Sequence, residues 1–269
     1  DHASLHGLGP EDDLSPTQPR VTLVIASTQR SGSTMLGRAM KATGRLGDPG
    51  EYAHPRFQPS LEARLGTSGL EETLRTLAPL RTTPNGVFAI KLHAEHLPPL
   101  GGLDGVSRLF PELRIVHLER RAALAQALSL TRASQTDRWF AEEPGNGRTP
   151  EYDAGMIESG LRKLILDAAE WRWALARREV PTLSLVFEEI VGDVAGTLER
   201  IAALAEVDLP AETLPAAAPT RRQSGAGPDP WRARFLSDAR AAGESALRPP
   251  PPPLPRRVLR RLARLAGRS

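Results

Sequence analysis

The sequence predicts a single α/β domain of the P-loop-like, doubly wound kind, with a mainly parallel sheet flanked by helices. Three observations carry that prediction. Short apolar runs rich in β-branched residues recur along the chain, segments with helical spacing separate them, and the first run feeds a Gly/Ser loop that opens a helix.

Residues 21–26 (VTLVIA) read as a buried parallel strand, because every position is apolar or β-branched. The loop 27–33 (STQRSGS) follows, and residues 34–41 then place Met35, Leu36, Ala39 and Met40 at helical spacing. Further strands are expected at 87–92, 114–118 and 182–187, with helices at 70–77, 122–135 and 154–178 between them. In the last of these Ile157, Leu161, Leu164, Ile165 and Ala168 form one apolar face. Alternating strands and helices imply right-handed crossovers and a parallel sheet. Residues 142–150 (EEPGNGRTP) form a polar loop fit to border a site, and a short helix is expected near 231–241.

The ends differ in composition. Residues 1–20, with three prolines and little apolar content, read as a disordered lead-in to a domain spanning 21–245. Residues 246–269 form a Pro-rich basic tail. There a stiff Pro249–Pro253 spacer leads to an amphipathic helix with Leu254, Val258, Leu262 and Leu265 on one face, expected to be solvated or self-packed, with contact to a membrane surface or a partner as the alternative.

Composition narrows the function classes. Of 269 residues, 40% are hydrophobic and 25% charged, as in ordinary globular proteins. The net charge of +3 comes from seven arginines with no acid over 248–269, so it does not point to a nucleic-acid-binding domain. The chain has no cysteine, which excludes disulfides, zinc–thiolate sites and cysteine nucleophiles and fits a reducing compartment. No apolar run reaches the ~18 residues of a membrane helix. The start lacks the basic-then-apolar pattern of a secretory leader, so a cytoplasmic location is expected. No cluster of metal ligands stands out, and no metal is expected.

A strand that ends in a Gly/Ser loop and opens a helix can cradle phosphate, since loop N–H groups and the helix dipole converge on one point. Ser33 and Thr34 would cap a helix in any case. The triphosphatase loop GxxxxGK[ST] is not met: aligned on Gly32, its first glycine falls on Ser27 and its lysine on Ser33. The cation sits instead at Arg30, two residues before the glycine, which disfavours ATP or GTP hydrolysis and suits transfer of another phosphate-linked group.

The stretch TQRSGSTML at 28–36, followed by ATGRLGDPGEY at 42–52, resembles the trehalose 2-sulfotransferase family of bacterial sulfotransferases. The resemblance continues in order through FAIKLHAEH at 88–96, LFPELRIVHLERRAALAQALSLTRASQT at 109–136, a Trp-containing long helix, LVFEEIVGD at 185–193 and RRQ at 221–223. It implies a P-loop-like homodimer that uses 3′-phosphoadenosine 5′-phosphosulfate (PAPS). Arg30, Ser31, Gly32, Ser33 and Thr34 would hold the 5′-phosphosulfate. Arg121 and Ser129 would grip the 3′-phosphate, with Arg120 the alternative, and Arg222 and Gln223 would close over the nucleotide. Glu51 would be the general base and Arg30 would stabilise the leaving phosphate oxygen. His93, His96 and His54 are rival bases, and Lys91 could face the same site. Ala53 and Thr131 depart from aromatic positions of the family, which weakens the inference to trehalose itself.

The expected activity is therefore O-sulfation of a carbohydrate or glycosylated small molecule, without a metal. Two other classes stand beside it: a kinase on a similar loop, and a non-catalytic nucleotide-binding module whose basic tail docks a partner.

Overall fold

The computed structural model describes residues 8–140, 142–215, 229–243 and 247. Four parallel strands, β1 Val21–Ser27, β2 Val87–His93, β3 Leu113–Glu119 and β4 Thr182–Val186, form a sheet in the order β2-β1-β3-β4. Ser27 pairs in register with His93 on one side and Leu118 on the other, so the carboxyl ends of the three strands align. β1 is buried along its whole length. Val24 and Ala26 face one core with Ile90, Leu92 and Ile115, while Leu23 and Ile25 face the other with Val116, Leu118 and Leu185.

Helices cover both faces. α1 Ser33–Ala42 lies on the second core through Met35, Leu36, Ala39 and Met40. α2 Gln58–Leu65, α3 Leu70–Leu77 and α4 Gly102–Leu109 bury Leu61, Leu74, Leu77 and Val106 against the first. Two longer helices, α5 Ala123–Thr136 and α6 Ala154–Ala176, bridge β3 and β4. Trp171 of α6 is fully buried, and its Nε1 donates to the carbonyl of Ser27 at 2.9 Å, fixing α6 at the mouth of β1. The chain continues through the single turn α7 Phe187–Ile190, through α8 Val194–Ala205 on the second core, and later through α9 Pro230–Ala242 against α5 and α6. Each fully buried Leu or Ile contributes about 1.5–3 kcal/mol of hydrophobic stabilisation. No helix among the described residues is long and apolar enough to cross a membrane.

The structure corrects three expectations. Residues 8–20 are packed rather than disordered: Leu8 is buried, the Leu14 N–H donates to Leu80 O at 2.9 Å, and Asp13 lies 2.5 Å from the buried Arg81 and 2.8 Å from Arg64. The charge that made this stretch look solvated neutralises a guanidinium beneath it. The buried side of α6 runs through Ile157, Leu164 and Trp171, whereas Ile165 is 39% exposed. That stripe repeats every seven residues, narrower than the face expected from composition. Phe187 opens α7 instead of ending β4. Arg222, Gln223 and, Leu247 apart, the basic tail lie outside the described residues.

Candidate functional site

The loop after β1 is shaped by two backbone exceptions. Arg30 adopts a left-handed φ of +61° and Gly32 one of +94°. A Cβ on Gly32 would also stand 2.2 Å from Cδ2 of Phe187, so only glycine fits there. The turn aims the first N–H groups of α1 at the carboxyl edge of the sheet, where ligands sit in open α/β folds. Ser31 is fully buried and its Oγ has no hydrogen-bond partner, a hydroxyl left for an incoming anion. Gln126 of α5 secures the loop from behind, its Nε2 donating to Thr28 Oγ1 at 2.8 Å and to Gln29 O at 2.6 Å.

Arg30 crosses this cradle. Its Nε donates to Ser129 Oγ at 3.0 Å and its Nη1 to the carbonyl of Trp139. Burial and then the neighbouring Arg120 lower its pKa from the ordinary arginine value. The loop that supplies Trp139 is itself fastened, with Glu143 accepting the Trp139 and Phe140 N–H groups and Glu142 lying 3.2 Å from Arg38 of α1. Of the two arginines after β3, Arg120 turns inward. It donates to Arg30 O at 2.9 Å and lies 4.8 Å over the Phe187 ring. Arg121 turns outward to Glu189 with its side chain 63% exposed.

Glu51 arrives from the other side. Gly50 forms a parallel bridge with Ile90, and the Lys91 N–H donates to Gly50 O at 2.9 Å, so the chain before Glu51 runs along the outer edge of β2. Gly47 permits this approach, because a Cβ there would sit 2.5 Å from Ala89 Cβ at a φ of +79°. Lys91 Nζ then lies 2.8 Å from Glu51 Oε1 and donates to Thr34 Oγ1 at 3.2 Å. His93 Nε2 is 3.6 Å from the same carboxylate oxygen. Burial pushes the Glu51 carboxyl upward, but Lys91 and His93 outweigh it and hold it well below the usual carboxylate range. The rings of His93 and His96, and of His54 and His96, stand 5.5 Å apart.

The fold thus brings together Arg30, Ser31, Gly32, Ser33, Thr34 and Ser129 with Glu51, Lys91 and His93, and leaves Arg121 aside. Glu143 belongs to the polar loop expected to border a site, whereas nothing in the sequence marks Gln126, Trp139 and Phe187. Their roles run through carbonyls, a buried amide and a ring contact that no local pattern announces. No group of side chains among the described residues could hold a metal ion. Chemically, the arrangement offers an anion cradle with a guanidinium across it and an ionised carboxylate joined to the cradle through one ammonium.

The family model described as Stf0 sulphotransferase matches residues 22–238. The trehalose 2-sulfotransferase of Mycolicibacterium smegmatis is 28% identical over 271 residues, which cover 84% of this chain and 97% of that protein. The one of Mycobacterium tuberculosis is 27% identical over 264 residues, covering 82% and 96%. Among solved structures, the sulfotransferase domain from the Synechococcus PCC 7002 olefin synthase is 20% identical over 88% of each chain, with a TM-score of 0.46. A sulfotransferase from Mycobacterium tuberculosis is 13% identical over 78% of this chain and 74% of that one, with a TM-score of 0.48. These two structural likenesses are loose.

Proposed function

The chain belongs to the Stf0 sulphotransferase family, and from that premise we propose that it moves a sulfuryl group from PAPS to a hydroxyl of a carbohydrate or glycosylated small molecule. One observation supports this above the rest: a single ammonium, Lys91 Nζ, touches both Glu51 and Thr34 at the start of the phosphate-loop helix. Base and anion cradle are therefore neighbours, as in-line transfer between an alcohol and a phosphate-bound group requires.

PAPS supplies the sulfuryl group and leaves as adenosine 3′,5′-bisphosphate. The orphaned Ser31 hydroxyl and the left-handed turn at Gly32 that opens the helix both suit its 5′-phosphosulfate. Residues 31–34 would hold that end through N–H and hydroxyl donors. Arg30 would balance the negative charge that develops on the leaving phosphate oxygen, and Glu51 would take the proton of the attacking hydroxyl. Because Arg120 faces the loop and Arg121 does not, the 3′-phosphate role passes to Arg120 with Ser129; Arg222 and Gln223 keep the closing role that the resemblance implies. The relatives named as trehalose 2-sulfotransferases make a neutral disaccharide the first acceptor to try. The homodimer implied by the resemblance is read by sedimentation.

Calorimetric titration with adenosine 3′,5′-bisphosphate, with 5′-AMP as control, tests the donor site, and transfer of labelled sulfuryl from PAPS to trehalose tests the reaction. Micromolar binding that needs the 3′-phosphate, followed by label in a sugar ester, is the expected result. Equal or absent binding of both nucleotides would overturn the proposal.

A further inference from the structure

Beyond Glu51 stand two histidines that the transfer chemistry leaves unused. His96 closes the 3-10 turn Ala94–His96 after β2 and is 1% exposed. The backbone N–H of His93 donates to its Nδ1 at 3.2 Å. A ring nitrogen that accepts carries no proton, so the neutral imidazole bears its hydrogen on Nε2. That Nε2 is buried and has no hydrogen-bond partner. A histidine serving only to fill the core would satisfy both nitrogens, and here one is satisfied and the other is not.

His54 repeats the pattern on the loop that carries Glu51. Its Nδ1 accepts from the Arg56 N–H at 3.1 Å, which again leaves the hydrogen on Nε2, and its ring stands edge-on to that of His96. Burial pushes His96 down to about 4 and lowers His54 as well. At neutral pH both are uncharged donors, although a carboxylate lies one ring away. An uncharged N–H favours an uncharged oxygen acceptor, whereas a cation would favour phosphate or carboxylate.

We propose that the His96 Nε2–H, flanked by His54, anchors an oxygen of a neutral polyol, so that the neighbouring hydroxyl of that polyol presents its proton to Glu51. The inference rests on the sulfotransferase reading above and specifies its acceptor: a sugar or sugar alcohol with adjacent free hydroxyls, unsubstituted by charged groups at that position. His54, half-buried on the same loop as Glu51, stands beside this donor, its ring edge-on to that of His96.

Trehalose is the probe, with PAPS as donor. His96→Phe keeps an aromatic of similar shape without the donor, and His96→Gln returns an amide N–H near the position of Nε2. His96→Phe should raise the acceptor KM about tenfold, equivalent to about 1.4 kcal/mol, with adenosine 3′,5′-bisphosphate affinity within twofold of the parent. His96→Gln should recover most of that loss. An unchanged acceptor KM in His96→Phe, or equal loss in both variants, would overturn the anchor while leaving the transferase reading intact. A parent protein that sulfates neither trehalose nor glucose nor a sugar alcohol would remove both. Long-range 1H–15N spectra give a readout without turnover: the Nε2–H tautomer of His96 is expected at pH 7, and the Nδ1–H tautomer or the imidazolium would overturn the anchor.

Discussion

On the phosphate-loop side, residues 27–34 leave a central strand and enter a helix within one short loop, so their geometry is local. On the opposite side, Glu51, His54, His93 and His96 come from two segments, one at the end of β2 and one that only runs along its edge. The first side is held by hydrogen bonds to backbone: Gln126 to Gln29 O, Arg120 to Arg30 O and Arg30 to Trp139 O. The second is held by the charge of Lys91 on a partly buried carboxylate, with His93 Nε2 3.6 Å from the same oxygen. A ligand oxygen can replace a carbonyl at a guanidinium without leaving a buried charge unpaired. Displacing Lys91 from Glu51 would leave one. The phosphate loop is thus suited to exchange partners, and the Glu51 corner to stay fixed.

The sharpest way to break this division is Glu51→Gln. The proposed base is lost while the hydrogen-bonded cradle is untouched, so kcat should fall by about 10²–10⁴-fold. Affinity for adenosine 3′,5′-bisphosphate should stay within a few-fold, read by calorimetry on the same sample. Normal turnover would show that another group takes the proton, and His93, 3.6 Å away, would be examined next.

Gly32→Ala attacks the other side. Placing a non-glycine residue at φ +94° costs about 1–2 kcal/mol, and the collision with Phe187 adds about 1–3 kcal/mol. Thermal denaturation should show the sum. Adding Phe187→Ala should relieve the collision and leave the backbone strain. If Gly32→Ala is as stable as the parent, neither the left-handed turn nor the Phe187 ring constrains position 32.

Arg120→Ala and Arg121→Ala compare two adjacent residues of one type. Loss of a charge-assisted hydrogen bond costs about 1.5–3 kcal/mol, so Arg120→Ala should weaken adenosine 3′,5′-bisphosphate binding by about 10–100-fold. Arg121, whose exposed pair with Glu189 contributes about 0–1 kcal/mol, should matter little. The reverse ranking would mean that nucleotide binding swings Arg121 inward.

These two arginines also mark where the sequence stops being legible. The strand, loop and helix at 21–42 could be read directly, because periodicity and the Gly/Ser turn are local signals. Which of two consecutive arginines faces a ligand depends on how β3 ends, and no spacing rule resolves one residue. Glu51 was found only through resemblance. What positions it, the bridge from Gly50 to Ile90, joins residues far apart in the chain. The packing of residues 8–20 escaped for the same reason, since its anchor is the distant Arg81.

The smallest expected effect is an absence of change, and it tests the charge-held side most directly. Burial raises the Glu51 carboxyl, Lys91 and His93 lower it further, and the net position is well below the ordinary carboxylate value. For an acid whose folded pKa is depressed, the ionised form and the stability it brings are present above the ordinary value. They are lost only as pH falls through the folded one. The acid limb that Glu51 imposes on kcat/KM should therefore lie well below pH 4.5, and its protonation should not alter the rate between pH 5 and 7. Lys91→Met removes the largest opposing charge and leaves the burial, so the limb should move upward in pH. A limb that stays in place in Lys91→Met would mean that charge does not hold the carboxylate, and the contrast between the two halves of the site would fall with it.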